Sequence, residues 1–262
     1  MSFEINLKDK VAIVTGVTSG IGSGVAKMLA RAGCTVAGCG RSAELGEGSV
    51  SFKKKVENEG VASLYRQIDV TCPDQLESFV HEVVQYFGGI DVVVSNAGVN
   101  VFKKPGECTE EQWAFNMELN LAAHWRLGKL ARPHLMKNKG VLIIMTSNHA
   151  YTTIPNCFPY NVAKTALTGL VRTLAIDWGP EIRTVGLAPG FIETEGGERW
   201  FDSFPDPEVA RNKVVDIHPV KRLGSAEEIG GFCAFLASEY AQFISGTTYL
   251  IDGGRSAIMQ DV

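Results

Sequence analysis

Tyr160 and Lys164 stand four residues apart. On a helix, that spacing places both side chains on one face, about a turn apart. Residues 165–178 carry helix-like apolar spacing through Ala166, Leu167, Leu170, Val171, Leu174 and Ala175, so a helix is the expected setting. An ammonium near a phenol favours phenolate and is expected to lower the tyrosine pKa from about 10 by about one to three units. A phenol tuned in this way gives or takes a proton near neutral pH. An ordinary solvated helix face carries the same two residue types. The pair therefore gains meaning only from what the rest of the chain brings beside it.

The elements that would position the pair alternate along the chain. Strands are predicted over 11–15, 35–39, 63–68, 91–95, 141–145, 183–188 and 247–251. Helices are predicted over 25–32, 51–60 and 71–87, through Asn120 to about 136, and over 226–237. Thr109 with Gln112, and Ser225 with Glu228, are capping-box pairs that open two of these helices. Pro133 is the expected point of a bend in the helix through Asn120. Unbroken alternation of this kind means a parallel sheet covered on both faces. The expected fold is α/β, one doubly wound Rossmann-type domain over 1–262, with about seven strands. The segment 191–222 breaks the rhythm with prolines at 205, 207 and 219 and aromatics Phe191, Trp200, Phe201 and Phe204. Lying after a strand's carboxyl end, it is expected to form a small lid on the substrate side.

The bulk numbers bound the function. Apolar residues make up 45% and charged residues 21% of 262, as in soluble globular proteins. A net charge of −4 offers no basic face for nucleic acid. Six scattered cysteines form no C-x-x-C pair, as expected for reduced thiols in the cytoplasm. Residues 1–10 mix acidic and basic groups without an apolar core, so no signal peptide is expected. The aliphatic run 141–145 is too short to cross a membrane. His81, His124, His134 and His218 lack companions at ligand spacing, and no metal site is expected.

Gly16-Val17-Thr18-Ser19-Gly20-Ile21-Gly22 lies between the first strand and the first helix. Small residues there let backbone N–H groups approach a pyrophosphate at a helix N-terminus. The second strand runs into Gly40-Arg41-Ser42, with a guanidinium and no carboxylate at its end. Arginine binds a phosphate through several donors, which favours NADP(H) over NAD(H). Glu44 and Glu47 lie close enough in sequence to reach a ribose, which leaves NAD(H) as the alternative.

Taken together, these residues resemble the short-chain dehydrogenase/reductase family over nearly the whole chain. Thr15-Gly16-x3-Gly20-Ile21-Gly22 matches its cofactor loop, Asp69-Val70 its adenine-side pair and Asn96-Ala97-Gly98 its N-A-G element. Asn120 follows Asn96 by 24 residues, and Ser147 precedes Tyr160 by 13, both at the family's spacing. Tyr160-x3-Lys164 is the family signature, and Pro189, Gly190, Ile192 and Thr194 fall on its nicotinamide-side turn. Ser95 and Gly186 depart from residues the family commonly carries there, and 148–151 is more polar than in many relatives.

The resemblance implies roles. Tyr160 would be the acid in carbonyl reduction and the base in the reverse direction. Lys164 would lower its pKa and bind the nicotinamide ribose. Ser147 would hold the substrate oxygen, and Asn120 a water that connects Lys164 to solvent. His149, Asn156, Phe158 and Trp200 join Ser147 as candidates for the substrate pocket. The expected activity is interconversion of a secondary alcohol and a ketone, on a small hydroxylated carbonyl such as a sugar, polyol or hydroxy acid. A 3-oxoacyl thioester is the alternative substrate, and a non-catalytic nucleotide sensor the alternative of another class. The family also implies a homotetramer, joined through the Asn120 helix, the Tyr160 helix and the strand near Thr247.

Overall fold

Side chains alternate across a strand, so an apolar run with no polar interruption must be covered on both sides. β1 (Val11–Thr15) shows this directly. Its Ala12 and Val14 enter one core, and Val11 and Ile13 the other. β4 (Val92–Ser95) and β6 (Val141–Met145) divide in the same way. The structure is a computed structural model that describes residues 4–259. Residues 1–3 and 260–262, and with them the two ends of the expected 1–262 domain, lie outside the described residues.

The remaining strands of the main sheet are β2 (Thr35–Gly40), β3 (Ser63–Gln67), β8 (Arg183–Pro189) and β9 (Thr248–Ile251). All seven run parallel in the order β3-β2-β1-β4-β6-β8-β9. Helices α1 (Gly20–Arg31), α2 (Glu47–Glu57) and α9 (Ala226–Ala237) cover one face with Val25, Leu29, Phe52, Val56, Ile229 and Cys233. Helices α3 (Pro73–Phe87), α5 (Ala123–Asn138) and α6 (Tyr160–Trp178) cover the other with Leu76, Phe79, Leu127, Leu135, Leu167 and Val171. The strand order reverses between β1 and β4. In open α/β sheets that reversal opens a crevice at the carboxyl ends, where ligands bind. This is the expected doubly wound, Rossmann-type fold. Among the described residues, no helix is long and apolar enough to cross a membrane.

Three details differ from the sequence reading. The helix through Asn120 is interrupted at Asn120 itself. α4 (Glu110–Met117) passes into a π-helical turn, Glu118–Ala122, before α5 continues through Pro133 to Asn138. Both capping boxes form as expected. Next, a two-residue antiparallel ladder joins β5 (Phe102–Lys103) to β7 (Phe158–Pro159), which precedes Tyr160. Finally, the 191–222 segment carries two helices, α7 (Glu195–Phe201) and α8 (Pro207–Asp216). Arg211 bridges Glu193 and Glu198 across it. The rings of Phe191, Phe201 and Phe204 pack around Trp200.

α1 and α9 approach closely at a glycine pair. A Cβ on Gly24 would stand 2.5 Å from Ala226, and one on Gly230 would stand 2.6 Å from the Gly24 carbonyl oxygen. Alanine normally gains about 0.5–1 kcal/mol over glycine inside a helix. Here the collision is with backbone, and forcing the helices apart costs about 1–3 kcal/mol. Gly24→Ala is therefore expected to lower the thermal midpoint. A midpoint raised by the substitution would contradict the close packing.

Candidate active site

Four of the residues singled out from sequence converge at the carboxyl edge of the sheet. Ser147 follows β6, and Tyr160 begins α6. Lys164 lies one turn further along α6, with its Nζ 5.6 Å from the centre of the Tyr160 ring. Nζ donates to the carbonyl of Met145, the last residue of β6, at 2.9 Å. The Ser147 hydroxyl oxygen accepts from the His149 backbone N–H at 3.2 Å. Asn120 is wholly buried. Its Oδ1 accepts from Val99 N at 3.1 Å, and its Nδ2 donates to Val99 O and to Asn116 Oδ1, both at 2.9 Å. Asn116 in turn donates to the Pro159 carbonyl at 3.0 Å. A hydrogen-bonded chain thus runs from the loop after β4, through two asparagines, to the start of the Tyr160 helix.

This chain gives Asn120 a bracing role beside the one expected of it. Its side chain is anchored on Val99 and Asn116. Gly98 completes the packing, since a Cβ there would stand 2.7 Å from Asn120 Oδ1 and 3.6 Å from Lys164 Nζ. Asn116 was missed in the sequence, although its spacing from Asn120 places both on one helix face. The Met145 carbonyl is backbone and leaves no side-chain signal.

Burial sets the electrostatics. It pushes the Lys164 ammonium down from its ordinary 10.5 to about 7. It also pushes the Tyr160 phenol up to about 12, against the opposing pull of the Ser147 hydrogen bond. The shift of the phenol is opposite to that expected from Lys164 alone. Nζ bonds a carbonyl rather than the phenol oxygen, and removal of the phenol from water dominates its shift.

The glycine loop lies in the crevice between β1 and β4. Gly16 and Gly20 take positive φ angles of 74° and 55°. A Cβ on Gly22 would stand 2.1 Å from the Gly16 carbonyl oxygen and 2.6 Å from Asn96 Nδ2. Thr15, which the sequence reading gave no separate role, locks the loop. Its hydroxyl accepts from the N–H groups of Asn96 and Ala97 at 3.0 and 2.9 Å, while Asn96 Nδ2 donates to its carbonyl at 2.8 Å. Ser19 makes no side-chain cap to α1, so that helix begins without one. Such a glycine cradle fits a pyrophosphate. Ser42 meets Thr18 at 3.4 Å, and Asp69 accepts from Thr71 N–H at 2.9 Å. Val70 is buried. Arg41 is exposed, and among the described residues its guanidinium makes no ion pair. Glu44 lies 3.9 Å from Arg66, and Glu47 opens α2.

Pro189 ends β8, and Gly190 N–H donates to Ile251 O at 3.0 Å. Ile192 is buried and bridges to Gly224. Thr194 caps α7, and the next residue reaches the glycine loop: Gly20 N–H donates to Glu195 Oε2 at 3.3 Å. That contact was not foreseen, because it joins residues far apart in sequence.

The proposed pocket residues separate into two groups. His149 lies beside Tyr160, with ring centres 6.1 Å apart, and Phe102 of β5 packs on both rings. Phe158 stacks on Trp113, and Asn156 turns the chain with a φ of 65°. Trp200 makes its ring contacts within the aromatic cluster after β8, not with Ser147, Tyr160 or His149. Among the described residues, no group of three or more His, Cys, Asp or Glu side chains is placed to hold a metal ion.

A family model described as enoyl-(acyl carrier protein) reductase matches residues 16–256. Dehydrogenase/reductase SDR family member 4 of Sus scrofa is 34% identical over 255 residues, which cover 96% of this chain and 88% of that protein. Among solved structures, Cj0485 dehydrogenase superposes with a TM-score of 0.92 at 27% identity, covering 99% of each chain. The aldohexose dehydrogenase of Thermoplasma acidophilum gives 0.87 at 28%, covering 98% of each. The chain belongs to the short-chain dehydrogenase/reductase family. It is an NAD(P)-dependent oxidoreductase.

The Lys164 shift has a measurable sign. Below about 7 the lysine is charged whether folded or unfolded, and the folded state bears the full cost of burying it. Between about 7 and 10.5 the folded protein holds fewer protons at this site than the unfolded chain, so stability rises with pH. In urea unfolding from about pH 6 to about pH 9, wild type should gain stability relative to Lys164→Met. A difference that stays flat across that range would contradict the assignment.

Proposed function

We propose that the chain is an NADP(H)-preferring oxidoreductase that interconverts a secondary alcohol and a ketone, with Tyr160 as the proton donor and acceptor. The observation that carries this reading is the convergence of Ser147, Tyr160 and Lys164 at one point of the sheet's carboxyl edge. The nicotinamide, when bound, supplies or receives the hydride. Gly16, Gly20, Ile21 and Gly22, with Thr18 and Ser19, would hold the pyrophosphate. Asp69 and Val70 would hold the adenine side, and Asn96, Ala97, Gly98, Pro189, Gly190, Ile192 and Thr194 the nicotinamide half. Arg41 and Ser42, at the end of β2, would meet a 2′-phosphate. Arg41 is exposed and makes no ion pair among the described residues, which leaves the guanidinium available for that phosphate.

In reduction, the Tyr160 hydroxyl gives its proton to the substrate oxygen as the carbonyl becomes an alkoxide. The Ser147 hydroxyl donates a hydrogen bond to the same oxygen and fixes its place. A phenol kept protonated by burial is ready for this acid role. In oxidation, the phenolate takes the proton back, and the positive form of Lys164 stabilises that charge.

The substrate we propose is a small hydroxylated carbonyl. The polar residues after Ser147 favour it, as does the likeness to an aldohexose dehydrogenase. A 3-oxoacyl thioester is the second reading; the matching family model, described by an acyl-carrier-protein substrate, shares with it only the acyl-thioester class. The segment 191–222 would act as the lid, with Glu195 meeting the cofactor loop. A homotetramer is supported by exposed Trp125 on α5, Ile176 on α6 and Leu250 on β9. Free cysteines among the described residues support a cytoplasmic setting.

Tyr160→Phe should still bind NADPH while losing at least about 100-fold in turnover across a panel of sugars, hydroxyketones and an acetoacetyl thioester. Retained turnover would remove Tyr160 as the acid. In the same assays Arg41→Ala should weaken NADPH by about tenfold or more and leave NADH nearly unchanged. Equal effects on both would remove the preference for NADP(H).

A further inference from the structure

The two ring nitrogens of His149 meet different surroundings. Nδ1 lies 3.2 Å from Thr153 Oγ1 and 3.3 Å from Cys157 Sγ. Nε2, across the ring, has no hydrogen-bond partner among the described residues. The backbone N–H of His149 is fixed on Ser147 Oγ at 3.2 Å. Its ring lies edge-on to Tyr160 at 6.1 Å and to Phe102 at 6.0 Å. The imidazole is thus held from several sides, next to the residues proposed to act on the substrate oxygen.

Its charge state follows from the same surroundings. Burial, and then the nearby positive charge of Arg255, hold the imidazolium below its ordinary range. Cys157 is buried, and burial raises its thiol, so the sulfur keeps its proton. A neutral imidazole carries one N–H and one acceptor lone pair. A protonated thiol and a hydroxyl converge on Nδ1, and both are groups that can donate there.

We propose that His149 is the specificity-determining donor of the site: Nδ1 is the acceptor facing Thr153 and Cys157, and the Nε2 N–H recognises a hydroxyl oxygen on the carbon next to the reacting carbonyl. This rests on the assignment of Tyr160 and Ser147 to the carbonyl oxygen. An uncharged donor suits a neutral hydroxyl. A carboxylate would gain most from an imidazolium, which burial and Arg255 oppose. Thr153 and Cys157 are positioning residues, because they act only through the histidine tautomer.

The test compares NADPH-dependent reduction of erythrulose with that of 2-butanone, which has the same carbon skeleton and no hydroxyls. Wild type should favour erythrulose in kcat/KM by at least about 100-fold. His149→Leu should shrink that ratio at least about tenfold, mainly through KM for erythrulose, and His149→Gln should recover part of it. Nitrogen-15 NMR of the histidine ring should place the proton on Nε2, and Cys157→Ala with Thr153→Val should mix the tautomers. An absence of preference in wild type would overturn the proposal. So would equal loss on both ketones in His149→Leu, or a proton on Nδ1. Tyr160→Phe judges the underlying reading separately, since it should abolish reduction of both ketones and leave the His149 tautomer in place.

Discussion

A lysine removed from water, with a main-chain carbonyl as its nearest partner, is the constraint on which the site depends. Lys164 reaches back under the Tyr160 ring to the end of β6 and bonds Met145 O. Burying an ammonium this way is costly unless it is well paired, and a single carbonyl compensates only in part. The result is a lysine poised to lose its proton near neutrality and a phenol that holds its own tightly. Each group is displaced towards its neutral form. Placing a charge on either costs free energy that a substrate or cofactor bound beside them can help to offset.

The fold supplies the burial. Parallel strands end together on one edge, so Thr15, Ser95, Met145 and Pro189 bring four loops to a common crevice. The loop after β1 is locked to the loop after β4 by Thr15, and the latter is locked to the π-helical turn by Asn120. Asn116 carries the connection to Pro159 and so to the first turn of α6. Hydrogen-bonded groups at this depth must be satisfied, and a missing partner costs about 1–3 kcal/mol. The glycine cradle, the lysine and the phenol therefore share one framework.

Much of this was legible in the chain. Strand 11–15, the glycine loop and the Tyr160-x3-Lys164 pair announced themselves by residue type and spacing, and the sheet places them where the alternation implied. Local rules also held at Thr109 and Ser225, whose capping boxes form within four consecutive residues. What was hidden depends on distance or on backbone. The β5–β7 ladder pairs residues more than fifty positions apart through only two residues each, too short for a pattern. The Glu195 contact with Gly20 is longer in range still. The π-helical turn at Asn120 had no local signal, because side-chain bonds to Val99 and Asn116 fix the irregularity. The sign of the Tyr160 shift was misread because charge can be counted from sequence, whereas depth cannot. Trp200, a candidate pocket wall by composition, packs with Phe191, Phe201 and Phe204 of the 191–222 segment, contacts that no local spacing encodes.

The direct measurement is the titration of the Lys164 side chain in the folded protein, followed by NMR with selectively labelled lysine and assigned through Lys164→Met. A midpoint near 7 is the expected result. A midpoint at the ordinary 10.5 would mean that the ammonium is solvated, and the electrostatic account of the site would be wrong.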